Sequence, residues 1–156
     1  MRKIRLVYVV STLGRTGPTR QLYNLIKHLD YAHFEAQVIT LSSNPPDNLE
    51  RDFAELGIAT RSLKLSRLAG VVFGRSRLVR ILNQLQPDVL HSQGLRADWL
   101  CSRLADSYKK VATQRNNPLQ DYPLLMGQLK GAVAARLHYR ALARLPVVVA
   151  CSQAIA

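Results

Sequence analysis

Acidic residues, cysteine and aromatics are all scarce in this chain of 156 residues. Ten Asp and Glu stand against 22 Lys and Arg, for a formal net charge of +12 with the four histidines neutral. Two cysteines do not make a disulfide framework, and a chain of this length with 47% hydrophobic residues buries a sizeable core without one, so a reducing cytoplasm is the expected setting. Long apolar runs are missing as well. No segment approaches the ~18 residues of a membrane span. The charged start Met1-Arg2-Lys3-Ile4-Arg5 is followed by an apolar run, Leu6 to Val10, too short for a signal peptide. Secretion is disfavoured, and a soluble or at most surface-bound protein is expected. With 6% aromatics and one Trp there is little to stack on bases, so nucleic acid is not an expected partner. An anionic membrane surface and anionic small substrates such as phosphates remain.

The positive charge is concentrated. No acid occurs from Gly57 to Pro87, where Arg61, Lys64, Arg67, Arg75, Arg77 and Arg80 accumulate. A second acid-free stretch, Tyr122 to Ala156, carries Lys130, Arg136, Arg140 and Arg144. The last three recur at every fourth residue, so on a helix they form one basic stripe with Leu137, Ala141 and Leu145 beside it. Such a stripe is either a solvated helix face or a surface for anionic lipid headgroups.

Strand and helix signals alternate along the chain. Ile4 to Val10 reads as a buried strand. Pro18 then opens a helix with Leu22, Leu25, Ile26 and Leu29 at helical spacing. Ala36 to Leu41 is a second strand, and Asn48 caps a short helix stopped by Gly57. Ile58 to Leu65 gives a third strand, after which a basic segment leads to a helix through Leu78, Ile81, Leu82 and Leu85. Val89-Leu90-His91 is the fourth strand, its helix burying Ala97, Leu100, Cys101 and Leu104. Lys110 to Gln114 is the fifth strand and Arg115 to Pro118 a polar loop. One long helix, Leu124 to Leu145, precedes a last strand, Val147 to Ala150. Strands joined by helical crossovers predict a single α/β domain over 1–156, a doubly wound parallel sheet with helices on both faces.

In such folds ligands sit at the carboxyl ends of the strands. The first of these loops, Gly14-Arg15-Thr16-Gly17-Pro18-Thr19-Arg20, has no Lys after either glycine, which excludes a P-loop. It also lacks G-x-G-x-x-G, and Ser42-Ser43 replaces the ribose-binding acid, which disfavours NAD. What is left is a glycine loop entering a helix N-terminus beside two arginines. It either holds an anion or merely shapes a tight strand-to-helix turn.

Three segments resemble the retaining glycosyltransferases of family 4, which have the two-domain GT-B fold. Gly17 to Leu29 has the frame of that family's G-G-x-E-R-x-L-x-N-L-x-x-x-L; Pro87-Asp88-Val89-Leu90-His91-Ser92-Gln93-Gly94 resembles P-D-V-[VL]-H-x-[HQ]-G; and Val148 to Ile155 resembles V-V-x-x-S-x-x-[IL]. Thr16 stands at the first glycine and Thr19 at the Glu. Where many relatives carry T-x-H, this chain reads Thr113-Gln114-Arg115-Asn116, similar to an [ST]-x-R-N loop of some relatives.

The resemblance implies the Rossmann-like, acceptor-side N-terminal half of a GT-B enzyme. Such an enzyme transfers a sugar from a nucleotide-sugar donor to a glycan or lipid-linked acceptor with retention. It implies no metal or other cofactor, a donor-binding second domain absent from this chain, and a fragment inactive alone. Gly14, Thr16, Gly17, Thr19 and Arg20 would face the donor phosphates; His91, Gln93, Arg115 and Asn116 would lie on the acceptor side. Arg136, Arg140 and Arg144 are the membrane-facing candidates, which suits a cytoplasmic protein peripheral on the inner face of a membrane. The alternative, suggested by Thr16, Thr19 and Arg115, is a non-catalytic anion-binding or scaffolding module of the same fold. The residues themselves offer no close pair of carboxylates for glycosidase chemistry and no ligand spacing among His28, His33, His91 and His138 for zinc. His91 reads as structural rather than acceptor-binding. Cys151 lacks a visible base, Trp99 reads as core or rim, and Met126 reads as packing.

Overall fold

The computed structural model describes residues 2–153 and 155, with the Arg67 side chain left undescribed. Met1 of the basic start, Ala154 of the third family-like segment, and Ala156 lie outside that set. The elements in order are β1 (Ile4–Val10), α1 (Gly17–Lys27), β2 (Phe34–Thr40), α2 (Glu50–Glu55), β3 (Ala59–Ser62) and α3 (Arg67–Leu85). There follow β4 (Val89–Gln93), α4 (Leu95–Cys101), β5 (Lys110–Gln114), α5 (Pro118–Met126), α6 (Gln128–Leu142) and β6 (Val147–Ala150). The six strands form one sheet of order β3-β2-β1-β4-β5-β6, every neighbouring pair parallel. This is the doubly wound, Rossmann-like arrangement expected from the alternation.

Two hydrophobic clusters cover the two faces. Leu22 and Ile26 of α1 and Phe53 of α2 pack with Tyr8, Val10 and Val38 on one side. On the other, Leu78, Leu82 and Leu85 of α3, Ala97 and Leu100 of α4, and Leu142 of α6 pack with Val7, Val9, Ile39 and Leu90. The alternation of side chains along β1 divides Val7 and Val9 from Tyr8 and Val10, and so feeds both clusters. Asp88 sets the entry of β4. Its backbone N–H donates to Arg5 O at 2.9 Å, and its carboxylate accepts from Arg5 N at 2.8 Å and pairs with Arg2 at 2.5 Å. The Arg5 N–H foremost, and the Arg2 charge, hold that carboxyl below the usual carboxylate range.

Local structure departs from the expected elements in a few places. The single long helix is two, because Gly127 takes φ +81° between them. The first of the two begins at Pro118, inside what reads as a polar loop, with Asn117 Oδ1 accepting from Leu119 N at 3.1 Å. The pair crosses closely at Gly131, where a Cβ would run into the backbone of Tyr122 and Pro123. The basic segment before Leu78 is itself helical from Arg67, capped by Ser66 Oγ accepting from Ala69 N at 3.2 Å. The N-cap position of α2 is Leu49 rather than the expected Asn48, which lies one residue earlier with its Oδ1 accepting from Glu50 N at 2.8 Å, and Gly57 follows the helix at φ +74°. The third strand is shorter than expected, and the first helix stops at Lys27 before Leu29. Met126, expected as packing, is 45% exposed at the end of α5, beside the still more exposed Leu124 and Leu125. Trp99 is half-buried with the Arg103 guanidinium 4.1 Å from its ring centroid. No helix among the described residues is long and apolar enough to cross a membrane.

Candidate functional site

In a sheet of this order the crossovers change direction between β1 and β4, and the crevice beyond their carboxyl ends is the natural ligand position. A pocket of about 190 Å³ lies there, lined by Val10, Ser11 and Thr12 from the end of β1, Thr16, Pro18 and Thr19 from the entry to α1, Gln93 and Arg115. It gathers predicted residues from both groups, Thr16 and Thr19 from the phosphate loop and Gln93 and Arg115 from the acceptor side. The two sets share one crevice.

The start of α1 presents a positive helix end. Thr16 is the N-cap residue but makes no capping hydrogen bond; its Oγ1 lies 3.0 Å from Thr19 Oγ1 instead. No acid occupies the first turn. The dipole of this helix is therefore not offset by a carboxylate of its own. Gly17 has open space where a Cβ would be and no positive φ, so neither packing nor backbone geometry demands glycine there. Gly14 has a packing reason: it is buried, bridges to Asn48, and a Cβ would sit 3.0 Å from Pro45 Cγ. Gly14 thus has a packing reason to be glycine, and Gly17 has neither a packing nor a backbone one. Of the two arginines, Arg15 turns away to Asp47 at 2.8 Å and Asp52 at 3.0 Å. Arg20 is exposed on α1 and does not line the pocket.

Gln93 ends β4 and is 7% exposed, yet neither its Oε1 nor its Nε2 has a hydrogen-bond partner. Leaving a buried amide unpaired costs about 1–3 kcal/mol per group, and a ligand in the pocket would supply partners. Arg115 follows β5; its Nη1 donates to Pro18 O at 3.0 Å while its buried Nε is unpartnered. Burial lowers its pKa from the ordinary value, although a guanidinium stays charged. The site thus combines one cation, one helix N-terminus and one unpaired amide.

His91 lies one layer deeper, in mid-strand beside Tyr8 and Val111. Its Nε2 is 2.7 Å from Thr113 Oγ1 and its ring 5.1 Å from that of Tyr8. Burial, then the charge of Arg115, lower its pKa to about 4, so the ring is neutral near pH 7. It does not line the pocket. Asn116 accepts from Gln114 Nε2 at 2.7 Å through its backbone carbonyl and is likewise outside the lining. Arg136 and Arg140 are exposed on α6, and Arg144 in the turn after it, on the molecular surface rather than in the crevice.

A buried polar chain beside the site escapes a reading of the sequence. Asp98, fully buried on α4, accepts from Ser92 Oγ at 2.6 Å and from His138 Nε2 at 2.8 Å, and Tyr122 Oη lies 2.8 Å from His138 Nδ1. Burial, then Asp98, push the Tyr122 hydroxyl up to about 12, so it keeps its proton. His138 Nε2 carries the proton that it donates to the Asp98 carboxylate. The chain ties α5 and α6 to the residue preceding Gln93. The available signal is an aspartate on the inward stripe of α4, in line with Leu95 and Cys101. Cys101 is buried, its thiol pKa raised by burial; Cys151 is exposed. Among the described residues no group of three or more His, Cys, Asp or Glu converges as a metal site requires.

The family model for Glycosyltransferase Family 4 matches residues 15–156. The chain belongs to that family. No curated protein matches it. Among solved structures, a protein of Listeria monocytogenes assigned as a UDP-N-acetylglucosamine 2-epimerase aligns with a TM-score of 0.66 at 12% identity, over 98% of this chain and 40% of that one. A second UDP-N-acetylglucosamine 2-epimerase aligns at 0.62 and 10%, over 97% and 43%. The UDP-GlcNAc 2-epimerase of Methanocaldococcus jannaschii aligns at 0.54 and 13%, over 97% and 40%. At these identities the likeness is one of fold, and it is the GT-B type of Rossmann-like domain. This family 4 chain spans about two fifths of the length of those structures.

Proposed function

We propose that the chain is the acceptor-side half of a retaining glycosyltransferase, which moves a sugar from a nucleotide-sugar donor to a glycan or lipid-linked acceptor. On this reading a second domain holds the nucleotide across a cleft that the pocket faces, the half alone does not turn over, and no metal takes part. The supporting observation is the crevice between β1 and β4, where Arg115, the uncapped start of α1 and the unpaired Gln93 amide converge. Sugar transfer with retention develops positive charge at the anomeric carbon and negative charge on the departing diphosphate. Preorganised cations and backbone donors stabilise the latter without rearranging. The N–H groups opening α1 and the Arg115 guanidinium suit that task, and Gln93 offers an amide to a sugar hydroxyl. Such work is electrostatic, which fits a crevice lined by no carboxylate. The setting is cytoplasmic, at the inner face of a membrane, where lipid-linked acceptors are presented.

Titration of the isotope-labelled chain with inorganic pyrophosphate, followed by amide chemical shifts, tests the anion role. Gly17, Thr19 and Gln93 shift together, and Arg115→Met weakens binding on the order of tenfold, the value of one charge-assisted hydrogen bond. Shifts confined elsewhere remove the reading. Pyrophosphate binding without transfer from any nucleotide sugar, in the chain joined to a donor-binding domain, favours the non-catalytic anion-binding or scaffolding module suggested by Thr16, Thr19 and Arg115.

A further inference from the structure

The outer side of the α5–α6 hairpin is an apolar surface that the proposed site does not explain. Leu124 is 82% exposed, Leu125 75% and Leu129 81%, all within one turn of the Gly127 break. Val133 and Leu137 continue the same exposed line along α6. Successive helical residues advance about 100°, which puts Gly131, Ala135, His138 and Leu142 on the inward face and Leu129, Val133 and Leu137 opposite them. Arg136 and Arg140 fall within the same outward arc, Lys130 flanks it on the other side, and Arg144 is exposed in the turn that follows α6. A side chain such as Leu124 gains nothing by pointing into water, and apolar residues gathered this densely mark an interaction surface.

The charges decide what that surface meets. From Tyr122 onward there is no acid, and Asp121 is the single acid of the hairpin. A second copy of the chain laid face to face would oppose Lys130, Arg136 and Arg140 with the same cations. An anionic bilayer accepts both components, since leucines enter the boundary of headgroups and acyl chains while the long cationic side chains reach lipid phosphates.

We propose that the α5–α6 hairpin seats this domain on an anionic lipid surface, with Leu124, Leu125 and Leu129 inserted and Lys130, Arg136, Arg140 and Arg144 contacting headgroups. This deepens the location assigned above but stands on the surface alone, so vesicle binding and pyrophosphate binding succeed or fail separately.

Co-sedimentation with phosphatidylcholine vesicles, with and without phosphatidylglycerol, tests it. The chain binds the anionic vesicles, releases them as salt rises, and ignores the neutral ones. Leu124→Gln, Leu125→Gln and Leu129→Gln together leave the charge unchanged and weaken binding by at least about tenfold. Arg136→Glu, Arg140→Glu and Arg144→Glu together weaken it on the order of a hundredfold, about fivefold for each charge lost. All six side chains are exposed, so the urea midpoints of both variants stay at the wild-type value and report an intact fold. Absence of vesicle binding, equal binding to neutral vesicles, or wild-type binding by either variant overturns the proposal. A concentration-dependent dimer that the glutamine variant abolishes, without vesicle binding, makes the face a contact between copies and equally overturns it.

Discussion

Removing the Asp98 carboxyl is the most incisive perturbation of this fold. In Asp98→Ala the Ser92 hydroxyl and the His138 Nε2–H lose acceptors at 2.6 and 2.8 Å in a region without solvent. Each stranded group costs about 1–3 kcal/mol, and the cavity left behind adds to that, so the expected loss is about 3–5 kcal/mol. A domain with a total stability of about 5–15 kcal/mol is brought close to its threshold by such a change. Asp98→Asn behaves differently, because an amide oxygen still accepts from His138 while its NH₂ donates to the Ser92 oxygen; it costs about 1 kcal/mol. Urea denaturation at constant m-value measures both. The pairing itself is read from a double-mutant cycle: with His138→Ala the losses are strongly non-additive, since either change breaks the same contact. An Asp98→Ala midpoint within about 0.5 kcal/mol of wild type, or simple additivity, would refute the claim that this chain of hydrogen bonds holds α6 to β4.

Other expectations follow from single contacts. Gly131→Ala drives a methyl into the backbone of Pro123 and Tyr122, destabilising by about 2 kcal/mol in thermal melts; a neutral result would mean that α5 shifts freely. Arg15→Ala loses two partly exposed ion pairs, to Asp47 and Asp52, and changes stability by less than about 1 kcal/mol in urea melts. For His91 the unfolded pKa near 6.5 exceeds the folded value of about 4, so the unfolded chain takes up the proton first. Stability is full above about pH 6.5 and is lost as pH falls toward 4, by up to about 3 kcal/mol. His91→Gln removes that part of the acid sensitivity in urea melts at about pH 7 and pH 5, and an unchanged pH dependence contradicts it.

The strands and the first glycine loop are legible in the sequence because their signals are local. Val7 and Val9 in one strand and Val89 and Leu90 in its neighbour declare sheet by composition, and Gly17-Pro18 announces a helix start. The break at Gly127 is not legible in the same way. Apolar periodicity runs through Leu124, Leu125, Leu129 and Val133 as if along one helix, and only the close crossing of Gly131 on Pro123 shows why two helices are needed. Thr16, Thr19, Gln93 and Arg115 could each be proposed from their places after strands. Their convergence follows from the order of strands in space. The unpaired state of Gln93 and the Ser92–Asp98–His138–Tyr122 chain depend on residues brought together from distant segments, which no local pattern encodes.

The strand order also dictates when each face of the sheet can be finished during synthesis. The cluster under α1 and α2 needs nothing beyond Ile58, whereas the opposite cluster waits for Leu145. Between them β1, which ends at Val10, keeps one edge unpaired until β4 is complete at Gln93. At about 5–20 residues per second that interval lasts on the order of 4–17 s. For those seconds the nascent chain carries a half-built domain with an open, hydrophobic strand edge, the form in which a parallel α/β protein is most prone to mispairing.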